Sequence, residues 1–560
     1  MKFGRNNRFG NEENITSFLH LIYNARNISA TKTAFQYRVA GGKREINYAE
    51  FCHDVFSIGY ALSEIGTNNS HIACVSDNRY EWISSYLAVL CTAGVFVPVN
   101  TELYGTDMIE LLSHSDSEVV FYSERYEYIF RENRNALSRV KYFIGFDREH
   151  DDGDFLSFAS FVRKGETLLA AKENAPSRRG QDDPAMLIYT SGNNPKGVIL
   201  TEKNLITCMN AASNATGGFN KNLSVMPYYR SFQAICCILT TIKAHGTLCT
   251  NDNIRNIFRD LRFYQPNILI LTPSDAELIY KRIILDYKKH HTTKLVKGSI
   301  KISNITRKFG IDPRKPFFEL LHSRLGGNLK SIVCSSAALA PEVGKFFDSI
   351  GIPIINCYGV TECSGLISAN SENTADHRTV GTPLSCHEVR IREADIEGNG
   401  EIDVRGPAVC SGYYKNEELT KRSIDANGWF STGDYGHIDE SGRLVITGRK
   451  DHRISLPNGY NIHPEEIEGY IRTVPYIEEA VVYALKDNKG KKVALCAEIY
   501  LGEAITHSFE FSDYTDRVAS DIAKALRKLP AHKQISEVVV RAQDFPRNST
   551  GKIKRDNVGF

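Results

Sequence analysis

What most restricts the fold of this chain is a repeated alternation between helical and strand-like hydrophobic periods. Residues 48–65 carry Tyr48, Phe51, Val55, Ile58, Ala61 and Leu62 on one helical face. Residues 71–75 form a short apolar run, closed by the turn formers Ser76, Asp77 and Asn78. Residues 81–93 read as helix, and 95–99 and 119–122 as strands. The alternation returns with strands at 185–188, 268–272, 329–334 and 353–356 and a helix over 341–350, which Pro341 is suited to start. Strands separated by helices predict parallel sheets covered on both faces.

The character changes near residue 380. Glycine recurs up to 448, and 401–404 and 444–447 have β-forming patterns, which predicts a small β-rich unit over about 380–450. Beyond 451 a helix is expected at 464–472, strands at 480–484 and 493–500, a helix at 514–526 and a strand at 537–540. The expected architecture is therefore α/β: a large N-terminal domain over 1–450, made of parallel-sheet α/β subdomains plus the β-rich subdomain, then a small α+β C-terminal domain over 451–560. Residues 290–316 are basic and poorly periodic. They are expected to be a solvated surface loop, with a mobile insertion as the other reading.

With 560 residues and 42% apolar content, the chain can bury several cores. A formal net charge of +2 gives no argument for a nucleic-acid or membrane-surface partner. The longest apolar stretch, 82–99, is broken by Ser84, Ser85, Gly94 and Pro98, which fits a buried helix followed by a strand better than a membrane span. The 13 cysteines contain no C-x-x-C pair, so a metal site has little support. Scattered cysteines of odd number fit reduced thiols in the cytoplasm. There is no H-E-x-x-H, G-x-S-x-G or G-x-G-x-x-G motif.

Several short motifs carry chemistry. Residues 189–197, Y-T-S-G-N-N-P-K-G, follow the apolar run 185–188. A turn of Ser, Thr and Gly after a strand gathers N–H and hydroxyl donors for phosphate oxygens, and Lys196 adds positive charge. It is not a Walker A loop. An ordinary surface turn is the competing reading of this segment alone. Residues 356–362, N-C-Y-G-V-T-E, follow another apolar strand and place an aromatic plane beside a carboxylate. Further on come G-W-F-S-T-G-D at 428–434, G-R-K-D at 448–451, G-Y-N-I-H-P-E-E-I-E at 459–468 and P-R-N-S-T-G-K at 546–552.

Taken together, in this order and over about 14–555, these motifs resemble those of the adenylate-forming superfamily. The look of D-N-R-Y-E-W at 77–82 is nearest its long-chain fatty acyl-CoA synthetase branch. The resemblance implies ATP, Mg2+ and coenzyme A (or a phosphopantetheine arm) as cofactors, and a small-molecule carboxylic acid as substrate. Thr190, Ser191, Gly192 and Lys196 would hold phosphates. Ala337 and Tyr358 would flank adenine, and Asn356 would accept from its exocyclic amine. Thr361 would bond the α-phosphate, and Glu362 would hold Mg2+ as the metal ligand. Asp434 and Arg449 would grip the ribose. Asp451 would be the hinge about which a mobile C-terminal domain turns, bringing Gly459 and Tyr460 to the thiol tunnel. Lys552 would be the catalytic lysine of adenylation, with Thr361 and Glu362 beside it. His463 is expected to be structural.

Three departures stand out. The phosphate loop is two residues shorter than the family pattern, with Asn193 and Asn194 in place of hydroxyls. Ser335 and Ser336 stand where the family has two glycines. Arg230 replaces a histidine beside the acyl pocket, next to Tyr229, and a guanidinium there can pair with a second anionic group or turn to solvent. The expected function is an AMP-forming acid:CoA ligase. Loading of an acyl-carrier-protein thiol, or a scaffold that binds nucleotide without turnover, are the alternatives. No nucleic acid and no transmembrane segment are expected.

Overall fold

The computed structural model describes residues 14–103, 105–172, 176–190, 195–251, 254–335, 337, 339–371, 376–456, 461–486, 493–502, 512–547 and 553–555. Two large sheets form the body. One has eight strands, and its middle pairs Pro184–Tyr189, Val95–Pro98, His71–Val75 and Ser117–Tyr122 in parallel. The other has nine strands, with Ile354–Tyr358, Ser331–Cys334, Ile268–Leu271 and Lys221–Ser224 parallel in adjacent order. The expected parallel α/β body is therefore present, with antiparallel strands confined to the ends of each parallel block.

The helix Tyr48–Glu64 starts where the Asn47 side chain accepts from the Glu50 N–H. It buries Phe51, Val55, Ile58 and Leu62, as its spacing requires. The long apolar stretch resolves into the helix Tyr80–Leu90 and the strand Val95–Pro98, both buried. Trp82 and Tyr86 meet Phe96 with ring centroids 5.2 and 4.9 Å apart. No helix among the described residues is long and apolar enough to cross a membrane. All 13 cysteines are free and buried, small apolar fillers as expected.

The β-rich unit is a four-stranded antiparallel sheet of Glu388–Arg392, Gly400–Arg405, Phe430–Ile438 and Leu444–Arg449. The terminal unit has its own core. The helices Pro464–Ile471 and Ser512–Leu526 pack Ile467, Ile471, Val518 and Ile522 on the sheet of Glu479–Lys486, Val493–Tyr500 and Glu537–Arg541.

One expectation is corrected. The basic segment 290–316 is not a loop: it contains the helix Thr293–Arg307 and the short helical turn Arg314–Phe317. Its period was hidden because apolar residues lie on two opposite faces of the helix. Val296 and Ile300 pack inward, whereas Leu295, Ile302 and Ile305 are exposed.

Candidate active site

The strand Ile354–Tyr358 ends at the edge of a cavity of about 1510 Å³ that runs between the body and the terminal unit. The turn that follows is tight. A Cβ on Gly359 would come within 2.3 Å of the Gly365 carbonyl oxygen, so only glycine lets the chain fold back here. This turn points Tyr358, Thr361 and Glu362 into the cavity.

Asn356 is buried, and its Nδ2 donates to the Thr379 carbonyl at 3.2 Å. Its Oδ1 is buried without a partner among the described residues. An unsatisfied buried acceptor is costly, and a ligand N–H would relieve it. That acceptor is the atom expected to face an exocyclic amine.

Tyr358 donates its hydroxyl to Asp434 Oδ2 at 2.7 Å, and Arg449 Nη1 lies 3.1 Å from Asp434 Oδ1. The two acidic and basic partners are brought together by register: Asp434 and Arg449 are direct cross-strand neighbours. Burial raises the Asp434 carboxyl above its ordinary range, while Arg449 and the Tyr358 hydroxyl hold it down. A carboxylate has about four acceptor positions, so two remain for a diol.

At the other end of the cavity, Thr361 Oγ1 lies 3.3 Å from Ser231 Oγ. Glu362 accepts from the Tyr413 hydroxyl at 2.8 Å. Burial, and then the Glu362 charge, raise the pKa of Tyr413, so its proton stays available for that bond. Thr190 and Lys196 close their loop reciprocally. The Lys196 N–H donates to Thr190 Oγ1 at 3.1 Å, and the Thr190 N–H donates to the Lys196 carbonyl at 3.0 Å. The Lys196 ammonium sits 5.8 Å from the centroid of the Tyr413 ring.

The cavity wall also contains Tyr229, Arg230, Ser335 and Ala337. Ser335 is almost fully buried. Burial pushes the Tyr229 hydroxyl up to about 12, with Glu102 and Arg230 pulling it in opposite directions. Asp451 lines the same space from the turn after Leu444–Arg449. His463 is buried, and burial lowers its pKa to about 4, so it is a neutral ring packed beside Tyr435.

A family model described as AMP-binding enzyme matches residues 24–414, and one described as AMP-binding enzyme C-terminal domain matches 451–559. The chain belongs to the AMP-binding enzyme family. Among its relatives, a long-chain-fatty-acid–CoA ligase (FadD15) of Mycobacterium bovis is 26% identical over 488 residues, which cover 80% of this chain and 76% of that one. A chloroplastic long-chain-fatty-acid–[acyl-carrier-protein] ligase (AEE15) of Arabidopsis thaliana is also 26% identical, over 78% and 70% of the two chains. The crystal structure of the anthranilate CoA ligase AuaEII in complex with anthranoyl-AMP shares the fold, with a TM-score of 0.77 at 18% identity over 98% of this chain and 97% of that one.

Within this AMP-binding enzyme, one cavity thus gathers Thr190, Lys196, Tyr229, Arg230, Ser335 and Ala337 with the Asn356–Glu362 turn, Asp434, Arg449 and Asp451. Ser191, Gly192, Asn193, Asn194, Ser336, Gly459, Tyr460 and Lys552 lie outside the described residues. Ile553 and Arg555, which follow Lys552 in sequence, line the cavity. Arg555 is held there by a two-pronged bond to Glu468, at 2.8 and 2.6 Å.

Tyr413 was not among the residues expected from sequence. It reaches Glu362 because Gly412–Tyr413 pairs antiparallel with Val198 and Ile199, at the end of the strand that leaves the phosphate loop. Nothing local in G-Y-Y-K announces that pairing.

Proposed function

We propose that this chain is an ATP-dependent carboxylic acid:CoA ligase that works through an acyl-adenylate. The single observation that carries the reading is the joining of Asn356, Tyr358, Glu362, Asp434 and Arg449 in one cavity between two units. Its polar groups match a nucleotide from one end to the other. Asn356 Oδ1 accepts from the adenine amine, beside the Tyr358 ring. Asp434 accepts from the ribose hydroxyls, and Arg449 keeps it ionised. Thr190, Lys196 and Thr361 bind phosphate oxygens. Glu362, oriented by Tyr413, is the residue that would hold Mg2+, which supplies neutralisation of phosphate charge when bound.

In the first half-reaction a carboxylate oxygen attacks the α-phosphorus in line. The bond to the bridging oxygen breaks and pyrophosphate leaves. Lys552 bridges the attacking carboxylate and the α-phosphate. A cation about 4 Å from the developing charge contributes on the order of 4 kcal/mol at an effective dielectric near 20. In the second half-reaction a thiolate attacks the acyl carbon, and AMP leaves with the carboxyl oxygen. The domain boundary falls at 450/451. Asp451 is the pivot that exchanges the two faces of the terminal unit, with Gly459 and Tyr460 serving the thiol step.

The relatives' names favour long-chain fatty acids as the substrate class and coenzyme A as acceptor, with a carrier-protein thiol as the second acceptor. Thirteen free, buried thiols fit a reducing cytoplasm. The deciding experiment is acid-dependent exchange of labelled pyrophosphate into ATP, screened over a panel of short, long and aromatic acids, then thioester formation with free CoA or carrier protein. Exchange with long-chain acids and transfer to CoA are expected. No exchange with any acid would leave a nucleotide-binding scaffold as the reading.

A further inference from the structure

Eight of the sixteen large apolar side chains that are exposed among the described residues fall between Leu285 and Leu320. That short segment also carries nine Lys and Arg against three Asp and Glu, a net +6 in a chain whose total is +2, so the remaining residues sum to −4. A near-neutral whole thus conceals a strongly basic region.

The helix Thr293–Arg307 organises both properties. At 100° per residue, Leu295, Ile302 and Ile305, with Phe309 just past its end, fall on one stripe. Their exposures are 71, 52, 50 and 79%. The stripe lies opposite the face on which Val296 and Ile300 pack into the body, so the fold's own core does not account for it. Lys294, Lys301 and Lys308, seven residues apart, run alongside it, exposed and without an ion-pair partner among the described residues. The helix rests against Pro341–Ser349, which begins at the cavity wall.

We infer that this face docks on an anionic membrane surface. A helix with an apolar stripe bordered along one edge by lysines lies in the plane of the interface, with the stripe among acyl chains and the ammonium groups at headgroup phosphates and carboxylates. A second copy of the chain is disfavoured, because an isologous contact would set the row of Lys294, Lys301 and Lys308 against its own copy. A nucleic acid would leave four large apolar side chains against its phosphates. This docking holds whichever acid the active site takes.

The test is co-sedimentation of the full chain with vesicles of phosphatidylcholine alone and of equal parts phosphatidylcholine and phosphatidylserine. The protein is expected to bind the mixed vesicles, more weakly as salt rises, and to leave the neutral ones in solution. Each lysine removed should weaken binding roughly fivefold, so Lys294→Gln with Lys301→Gln and Lys308→Gln should weaken it about a hundredfold. A second variant, Ile302→Ser with Phe309→Ser, should lose binding at every salt concentration. Both should keep pyrophosphate exchange, which monitors folding. The inference is overturned if the unaltered chain ignores mixed vesicles at low salt, or if the triple lysine variant binds them as tightly as the unaltered chain. A dimer that both variants convert to monomer, with no vesicle binding, would overturn it too and assign the face to a second copy.

Discussion

The two ends of the nucleotide cavity are built differently. At the base-and-ribose end the polar groups are already wired to one another: Tyr358 to Asp434, Asp434 to Arg449, and Asn356 to the Thr379 carbonyl. At the phosphate end, among the described residues, Glu362 has one side-chain donor, Tyr413, and Thr361 meets Ser231 at a long 3.3 Å. Preorganised hydrogen bonds favour binding, because little reorganisation is needed when the ligand arrives. Sparse ones leave room for groups that act only while charge develops. The difference assigns recognition to one end and rate to the other.

The strongest way to break that division is at the phosphate end. Lys552→Ala should slow acyl-adenylate formation about 10³-fold, the rate equivalent of roughly 4 kcal/mol. A supplied acyl-adenylate should still react with thiol at nearly the normal rate. Single-turnover measurements of the two half-reactions check this, and equal losses in both would refute the role given to Lys552.

At the opposite end, Asp434→Ala should act mainly on affinity. It removes a charged acceptor of the ribose hydroxyls and leaves Tyr358 and Arg449 without their shared partner. Losing a hydrogen bond to a charged group costs about 1.5–3 kcal/mol, so KM for ATP should rise roughly 10- to 150-fold. If kcat falls by that factor while KM stays put, the recognition end takes part in the chemical step and the contrast fails.

Much of this was legible in the sequence, for a physical reason. Tyr358, Thr361 and Glu362 lie in one turn after one strand, and Asp434 and Arg449 lie on paired strands joined by a short hairpin. Contiguous motifs preserve such geometry in the order of residues. Tyr413 was not legible, since its hydroxyl reaches Glu362 through a pairing with Val198 and Ile199 more than 200 positions away. The helix Thr293–Arg307 was missed for a different reason. A period argument assumes one apolar face, and this helix has two. The net positive charge of the same segment vanished in the whole-chain sum.

The smallest expected effect sharpens the comparison through pH. Burial raises the Asp434 pKa and Arg449 lowers it, so the acid side of nucleotide binding is set by their balance. Protonated Asp434 has lost its charge and one acceptor position, so AMP affinity should fall as pH drops through its folded pKa, which lies above 3.8. Arg449→Gln removes the main influence holding the proton off and should move that acid limb to higher pH, by about one unit for each 1.4 kcal/mol of lost attraction. Titrating AMP binding against pH in both proteins measures the displacement. An acid limb at the same pH in both would mean that Arg449 does not hold Asp434 ionised, and that the wiring at the recognition end is steric rather than electrostatic.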